Sequence, residues 1–260
     1  DGTVECDAAV MHSGGPDDRP VRSHAGAVAC VGTSRHPVHL AKRVLDETPH
    51  VFLVGAGAEA LEPDPIDPAR LITQGARDGL DRWRKPAEAA DGALGAHVAN
   101  GPTPEGSATC GAVAIDAEGR LAAATSTGGV IGQWPGRVGD APIVGAGTWA
   151  DRRVAISATG RGEAFLRAAT ARALAGDVAD APYPVPPDRL SDRVRARLAE
   201  VRAHDGEGGL IVVTEDGTIC VGFDTPQMAY GWRRRRPDGG SEGDARVGDV
   251  AEVWDVAPTR

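Results

Sequence analysis

Thr109 is the residue whose surroundings in this sequence most favour chemistry. Upstream, residues 86–108 carry almost no large apolar side chain, and downstream an apolar hairpin follows over residues 110–126. A threonine hydroxyl is a weak nucleophile, but cleavage of the chain before a threonine supplies a base from the same residue, its new α-amine. Such an amine has a pKa of about 7.7–8 in model peptides, so part of it is neutral and able to accept a proton at physiological pH. These features alone leave two interpretations open, a strand-starting threonine or a nucleophile.

The elements that must position Thr109 follow from apolar periodicity. The predicted strands lie at 4–11, 25–32, 51–54 (short and buried), 110–116, 120–126, 154–158, 210–214 and 218–223. The predicted helices lie at 36–47, from 67 to about 83, at 163–175, and around 190–201 with Ser191 as a candidate cap. Strands grouped in hairpins, with helices between them, predict an α+β fold in which helices cover antiparallel sheets. A four-layer αββα stack is one such arrangement.

Composition narrows the functional classes. The 260 residues suffice for one large domain or two small ones, and the net charge of −9 argues against a nucleic-acid partner. No apolar run reaches the roughly 18 residues that a membrane span requires. Four scattered cysteines without a C-x-x-C pair favour free thiols in a reducing cytoplasm over disulfides or a zinc site.

Other motifs that could carry chemistry are weak. The glycine-rich GAGAEA stretch lacks both the G-K-[ST] of a phosphate loop and the spacing of a dinucleotide fingerprint. The histidines are spread without ligand spacing, and the run Arg233–Arg236 is typical of a solvated tail. We therefore predict no metal site and no cofactor.

Long motifs carry a resemblance to a known family. TCGAVAIDAEGRLAAATSTGG, PGRVGDAPIVGAGTWA and SATGRGEAF follow one another in the second half, and GTVECDAAVM, AGAVACV and HPVHLAKRVLDETPHVFLVGAGAE precede them. Together with the closing GGLIVVTEDGTICVGFDTPQMAYGW, these motifs closely resemble the plant-type asparaginase/isoaspartyl peptidase family of N-terminal-nucleophile (Ntn) hydrolases. The resemblance covers nearly the whole chain and implies the four-layer αββα fold, with the first strand or strands missing.

The resemblance also implies roles for single residues. Thr109 matches the nucleophile freed by autocleavage, here of the Ala108–Thr109 bond, and Thr127 matches a second threonine that assists it. Arg137 and Asp140 match the pair that holds the substrate's α-carboxylate and α-amino groups. The residues matching the oxyanion site and substrate pocket are Thr159, Gly160 and Gly162. Without the resemblance, Arg137 and Asp140 would be a surface ion pair in a turn, and Thr159 and Gly160 a strand end.

The implied domain organisation is a single Ntn-hydrolase domain over residues 1–260. It divides into an α-subunit core (1–85, with an incomplete N-terminus), a flexible linker to the cleavage site (86–108), a β-subunit (109–230) and a flexible tail (231–260). Asp1-Gly2-Thr3 reads as the end of a turn whose preceding strand is absent, so we expect an N-terminal piece, with the family's structural sodium loop, to be missing. We expect an unpaired sheet edge as a result.

The implied activity is hydrolysis of L-asparagine, of β-aspartyl (isoaspartyl) dipeptides, or of both, by a cytoplasmic homodimer of αβ units. One departure is Ala108, where the family usually has Gly or Asp. An alternative is glycosylasparaginase, a relative that prefers Asn where this chain has Gly128. A second alternative is a truncated, catalytically silent fragment.

Overall fold

Two five-stranded sheets form the centre of the fold. The computed structural model describes residues 2–14, 24–89, 109–235, 238–248 and 253–256. The linker expected at 86–108 therefore lies outside the described residues, except for residues 86–89. The cleavage-site residue Ala108 also lies outside them, and the described residues resume at Thr109.

The first sheet joins strands from both halves of the chain. Its order is β3-β2-β1-β5-β4, with every neighbouring pair antiparallel except the parallel β2–β3 pair. Its strands are β1 (Cys6–His12), β2 (His24–Val31), β3 (Phe52–Val54), β4 (Thr109–Ile115) and β5 (Leu121–Thr127). Because β1 pairs with β5, the segment before the expected cleavage site and the segment after it share one sheet.

Helix α1 (Pro37–Glu47) covers the outer face of this sheet. Its buried residues Leu40, Ala41 and Val44 pack in one cluster with Ala8 and other apolar residues of β1 and β2. The approach is close at Gly26, where a Cβ atom would lie 2.2 Å from the Ala41 carbonyl oxygen. Only glycine fits this contact, so Gly26 allows α1 to lie directly on β2.

The second sheet is covered by three helices. Its strands, in the order β12-β9-β8-β7-β6, are β6 (Thr148–Ala150), β7 (Val154–Gly160), β8 (Gly208–Thr214), β9 (Ile219–Phe223) and β12 (Val253–Val256). The helices are α4 (Gly162–Ala168), α5 (Thr170–Ala179) and α6 (Pro187–Ala203). Phe165, Leu174 and Leu190 are fully buried against Ile156 and Leu210 of this sheet.

The two sheets stack face to face. Met11, Leu121 and Ala123 of the first sheet and Ala155 and Val213 of the second form one buried cluster. The layers are therefore α1, first sheet, second sheet and α4–α6, which confirms the expected αββα arrangement.

The remaining elements are peripheral. These are α2 (Ala56–Glu59), a 3-10 helix (Pro68–Leu71), α3 (Gln74–Ala89) and the two-stranded pair β10 (Met228–Arg235) and β11 (Ser241–Gly248). Across the described ranges, no helix combines the length and the apolarity needed to cross a bilayer.

The structure differs from the sequence expectation in the helical region. The single helix expected at 163–175 is two helices, because Ala169 adopts a left-handed conformation (φ 46°) between α4 and α5. Ser191 lies buried inside α6, whose N-cap is Pro186, and is not a cap. The helix expected from residue 67 begins as the 3-10 turn, and α3 starts only at Gln74.

Two strand expectations also differ. The segment 51–54 is an exposed edge rather than a buried strand, with Val51 53%, Phe52 37% and Val54 52% exposed. A flexible tail was expected at 231–260, but β10 and β11 pair over eight residue pairs from Met228–Gly248 to Arg235–Ser241, and β12 pairs with β9.

Candidate active site

The two threonines singled out by the sequence lie side by side. Thr109 begins β4, Thr127 ends β5, and the two are directly paired in the antiparallel register. Side chains directly opposite each other in such a pair lie on the same face of a sheet. Thr127 Oγ1 accepts a hydrogen bond of 3.1 Å from the Gly129 N–H. The hairpin thus places a conformationally restrained hydroxyl next to the expected nucleophile.

Arg137 is held by a carboxylate that the sequence analysis did not single out. Its Nε donates to Glu163 Oε1 at 2.9 Å and its Nη2 donates to Glu163 Oε2 at 3.0 Å. This two-point contact fixes the plane of the guanidinium. Only 15% of the Arg137 side chain is exposed, and its ion-pair partner is Glu163. Arg137 and Asp140 are therefore not the surface ion pair of the alternative interpretation.

Asp140 is a buried carboxyl group with spare hydrogen-bonding capacity. It is 6% exposed, and its Oδ2 has no hydrogen-bond partner among the described residues. Desolvation by burial raises the pKa of Asp140 to about 7, and the nearby Glu163 charge adds to the rise while the Arg137 charge opposes it. A buried, unpaired oxygen of this kind is suited to receive a ligand's hydrogen-bond donor.

Gly162, two residues after the end of β7, is in close contact with both Arg137 and Asp140. A Cβ atom on Gly162 would lie 2.9 Å from Asp140 Oδ1 and 3.1 Å from Arg137 Nη2. A larger residue would therefore displace the pair, so the glycine is required by close contact. The structure therefore brings together Arg137, Asp140 and Gly162.

Thr159 and Gly160 line the same pocket as Thr109. This pocket has a volume of about 360 Å³, and its wall continues along Ile211, Met228 and other residues of β8 and β10. Gly160 has φ 139°, and a Cβ atom there would lie 2.2 Å from the Glu207 carbonyl oxygen. Backbone conformation and contact both require glycine at this turn.

A larger pocket, of about 480 Å³, lies between α3 and the loop 128–135. It contains none of the predicted site residues. Of these two pockets, only the smaller one is lined by predicted site residues, which are Thr109, Thr159 and Gly160.

A buried network of three hydroxyl groups connects the strands beneath the site. Thr125 Oγ1 lies 2.7 Å from Ser157 Oγ and 2.6 Å from Thr148 Oγ1. Thr125 lies two residues before Thr127 on β5, and Ser157 lies two before Thr159 on β7. We call Thr125, Thr148 and Ser157 the hydroxyl network. It links both sheets immediately below the predicted site residues.

Sequence reasoning missed Glu163, Ser157 and a third residue, Asp7. Asp7 is the β1 partner of Thr127 and is 1% exposed. The predicted strand 4–11 contains two acidic residues, Glu5 and Asp7, and an acidic residue in a predicted strand was a usable signal for Asp7. Glu163 and Ser157 gave no such signal, because a glutamate at a helix start and a serine in a small-residue strand are common.

Within the described residues, no group of three or more His, Cys, Asp or Glu side chains is arranged to hold a metal ion.

Comparison with known proteins identifies the family. The family model described as Asparaginase matches residues 1–238. The chain belongs to the asparaginase family. Members of this family are Ntn-hydrolases, in agreement with the stacked-sheet architecture.

Individual relatives of this asparaginase-family chain are similar over most of its length. It is 37% identical over 248 residues to the isoaspartyl peptidase of Escherichia coli (strain K12), covering 89% of this chain and 70% of the relative. It is 37% identical over 242 residues to the isoaspartyl peptidase/L-asparaginase of Rattus norvegicus, covering 88% of this chain and 64% of the relative. The isoaspartyl peptidase of Salmonella typhimurium is 38% identical over 244 residues, with 89% and 71% covered. The chain thus spans about two thirds of the length of these relatives.

Proposed function

We propose that this chain is an autoprocessing amidohydrolase that cleaves L-asparagine to L-aspartate and ammonia, and β-aspartyl dipeptides to L-aspartate and an amino acid. The observation that carries the proposal is the pairing of Thr109 with Thr127 at a pocket shared with Thr159 and Gly160. The names of the relatives support the substrate class.

The proposed reaction begins with hydrolysis of the Ala108–Thr109 peptide bond, in which water adds to the Ala108 carbonyl carbon to leave a carboxylate and the Thr109 α-amine is freed. This amine takes the proton from Thr109 Oγ1 as the oxygen attacks the substrate's β-carbonyl carbon. The tetrahedral intermediate collapses, the C–N bond breaks, and the leaving amine takes the proton. Water then hydrolyses the β-aspartyl ester on Thr109 and regenerates the hydroxyl.

The proposed substrate contacts follow from charge and burial. A guanidinium binds a carboxylate with two parallel hydrogen bonds, so Arg137 holds the α-carboxylate through the N–H groups that Glu163 leaves available. The unpaired Oδ2 of Asp140 receives the α-ammonium group. Thr159 and Gly160 lie beside Thr109, where oxyanion stabilisation is needed.

The pocket beside Thr109 supports dipeptides as substrates in addition to L-asparagine. Ammonia is a small leaving group, whereas about 360 Å³ accommodates an amino-acid side chain. The apolar side chains of Ile211 and Met228 line this space. We therefore include β-aspartyl dipeptides with apolar leaving residues in the proposal.

The proposed setting is a cytoplasmic homodimer of αβ units that needs no cofactor. The resemblance supports the dimer, and four free cysteines (Cys6, Cys30, Cys110 and Cys220) support a reducing compartment. Every step of the proposed reaction uses protein groups and water alone.

Replacement of the nucleophile tests the proposal. We expect Thr109→Ala to abolish both self-cleavage and turnover, because it removes the attacking oxygen, while Cys110→Ala should retain both. Cys110 is a matched control, since it is the next residue on β4 and its side chain lies on the opposite face of the sheet. The measurements are intact mass, for the new Thr109 N-terminus, and ammonia or amino-acid release.

Each outcome discriminates between the alternatives. Turnover by Thr109→Ala would refute the nucleophile assignment, and an uncut, inactive parent chain would favour a catalytically silent fragment. Preference for a glycosylated asparagine over L-asparagine would favour glycosylasparaginase, an alternative that the names of the relatives do not support.

A further inference from the structure

Asp7 lies opposite an irregularity in the sheet. Cys6 pairs with Val31 and Ala8 pairs with Val28, so two residues of β2, Ala29 and Cys30, face the single residue Asp7. Cys30 has φ 55°, in the left-handed region that residues other than glycine rarely adopt. Such a bulge leaves a backbone N–H without a strand partner.

The Asp7 carboxylate occupies the position where that partner is missing. Its Oδ1 accepts a hydrogen bond of 2.9 Å from the Cys30 N–H. Burial raises the pKa of Asp7, and the Cys30 and Gly139 N–H groups oppose this rise. In the same loop as Gly139, the Gly136 N–H donates to Glu5 Oε2 at 2.8 Å, two residues before Asp7. A buried carboxylate is costly unless hydrogen-bond donors or positive charges favour it. Here the Cys30 N–H donates to it, and the Gly139 N–H favours its ionised form from a different part of the chain.

Gly139 connects Asp7 to the proposed substrate clamp. It precedes Asp140 directly, and a Cβ atom on it would lie 2.9 Å from Arg137 Nη1, so its backbone lies against the guanidinium. A displacement of Gly139 would therefore move the groups that face the substrate's α-carboxylate and α-ammonium. The positive charge of Arg137 also lowers the pKa of Asp7 and so favours its ionised form.

The sheet fixes the distance between this contact and the nucleophile. Asp7 pairs with Thr127, and Thr127 pairs with Thr109, so the three residues form one row across β1, β5 and β4. With strands about 4.8 Å apart, Asp7 lies roughly 10 Å from Thr109, too far for direct contact. Its effect should reach the substrate through the loop that contains Gly139.

We propose that Asp7 is a positioning residue that fastens the loop 136–140 to β1 and thereby sets the substrate clamp of Arg137 and Asp140 at a fixed distance from Thr109. This proposal rests on the proposed function, because it assigns Asp7 to the binding of the same substrate. Asp7 touches neither the reacting atoms nor the substrate.

The test separates substrate binding from chemistry. We expect Asp7→Asn to raise KM for L-asparagine and the Kd for L-aspartate about tenfold, with kcat within about twofold, because the negative charge that Asp7 presents to the Gly139 N–H and to Arg137 is removed. Asp151→Asn is the matched control. Asp151 Oδ1 likewise accepts hydrogen bonds from the main chain, from Arg153 and Val154, but at the opposite end of β7 from Thr159. It should leave both constants unchanged.

Hydrogen exchange tests the same contact without activity. In the parent protein the Gly139 and Cys30 amides should exchange as slowly as strand amides, and in Asp7→Asn the segment 136–140 should exchange faster than in Asp151→Asn. Rapid exchange of Gly139 in the parent protein would overturn the proposal, as would unchanged KM and Kd in a folded Asp7→Asn. An inactive parent protein with a protected Gly139 would instead count against the proposed function and retain the role of Asp7 in holding the loop.

Discussion

At the residue scale, Arg137 and Asp140, the proposed binding residues, are held in unusual environments by their neighbours. Arg137 is aligned by Glu163, and Asp140 is buried beside both of them with one oxygen unpaired. Each environment has a cost, because a buried charge loses its hydration. Such costs are typical of functional sites, where the substrate completes the missing contacts.

The pKa of Asp140 leads to a prediction about pH. Burial raises this pKa from 3.8 to about 7, so the carboxyl group is neutral below that range and attracts an ammonium group only above it. We therefore expect KM for L-asparagine to fall as the pH rises through about 7. The Thr109 α-amine should act mainly on kcat, which separates the two groups.

The same pKa shift of Asp140 has the opposite effect on the stability of the fold, which falls as the pH rises. A folded-state pKa above the unfolded one stabilises the fold fully below about pH 4, and this contribution is lost as the pH rises through about 7.

The predicted pH dependence of KM is tested by measuring KM from about pH 5.5 to about pH 8.5 for the parent protein and for Asp140→Asn, which cannot ionise. An equal pH dependence of KM in both proteins would contradict the assignment.

At the element scale, the hydroxyl network sets the spacing of the site-bearing strands. Thr125 and Ser157 join β5 to β7, and Thr148 Oγ1 donates to the Ala141 carbonyl oxygen at 2.9 Å, next to Asp140. Gly111 of β4 lies so close that a Cβ atom would be 2.2 Å from Ser157 Oγ. All the segments that supply site residues therefore meet around this network.

We expect Ser157→Ala to destabilise the fold by about 1–2 kcal/mol, because it removes one partner of a buried hydroxyl. We also expect kcat to fall severalfold, since Ser157 lies beneath both Thr109 and Thr159. Chemical denaturation and steady-state kinetics measure the two effects. Ser126→Ala, on the other face of β5, is the control, and an unchanged kcat in Ser157→Ala would show that the network serves stability alone.

The sequence predicted the elements better than their ends. Most expected segments match the observed elements closely, because apolar periodicity indicates which face of an element is buried. These elements are helix α1 and strands β1, β2, β4, β5, β7, β8 and β9. Ala169 breaks a helix without a proline or glycine to signal it, and Val51, Phe52 and Val54 are apolar yet exposed, so the local pattern was insufficient there.

The predicted site followed from the motifs, but its supporting residues did not. The structure places Thr109 beside Thr127 and in one pocket with Thr159 and Gly160, and it places Arg137, Asp140 and Gly162 in mutual contact. The roles that the resemblance implies for these residues stay predictions. The contacts of Asp7 with Cys30 and of Arg137 with Glu163 span 23 and 26 residues of sequence. Such pairs depend on how sheets and loops meet in space, which the pattern of a single strand or helix does not report.

At the scale of the whole molecule, the first sheet ends in an exposed apolar edge. β3 has one strand neighbour, β2, among the described residues, and Val51, Phe52 and Val54 are exposed beside it. We call these three residues the β3 edge patch. Unprotected edges of this kind pair with other chains and promote aggregation.

A charged residue in the β3 edge patch should therefore improve solubility. We expect Val54→Lys to reduce light scattering on concentration or mild heating, with kcat and KM unchanged, because the patch is remote from Thr109. Trp134→Lys provides the comparison, since Trp134 is 62% exposed but lies in a loop and not in a strand. Equal improvement by both variants would point to general surface apolarity as the cause.

The pairing of β1 with β5 has a consequence for what happens when the chain is cut. Six residue pairs, from Asp7–Thr127 to His12–Ala122, join a strand from before the proposed scission to a strand after it. Scission at Ala108–Thr109 would therefore break one peptide bond and leave the pairing of the strands intact. The new terminus would form on β4, the edge strand of an already assembled sheet. Maturation would then need neither refolding nor the departure of either fragment.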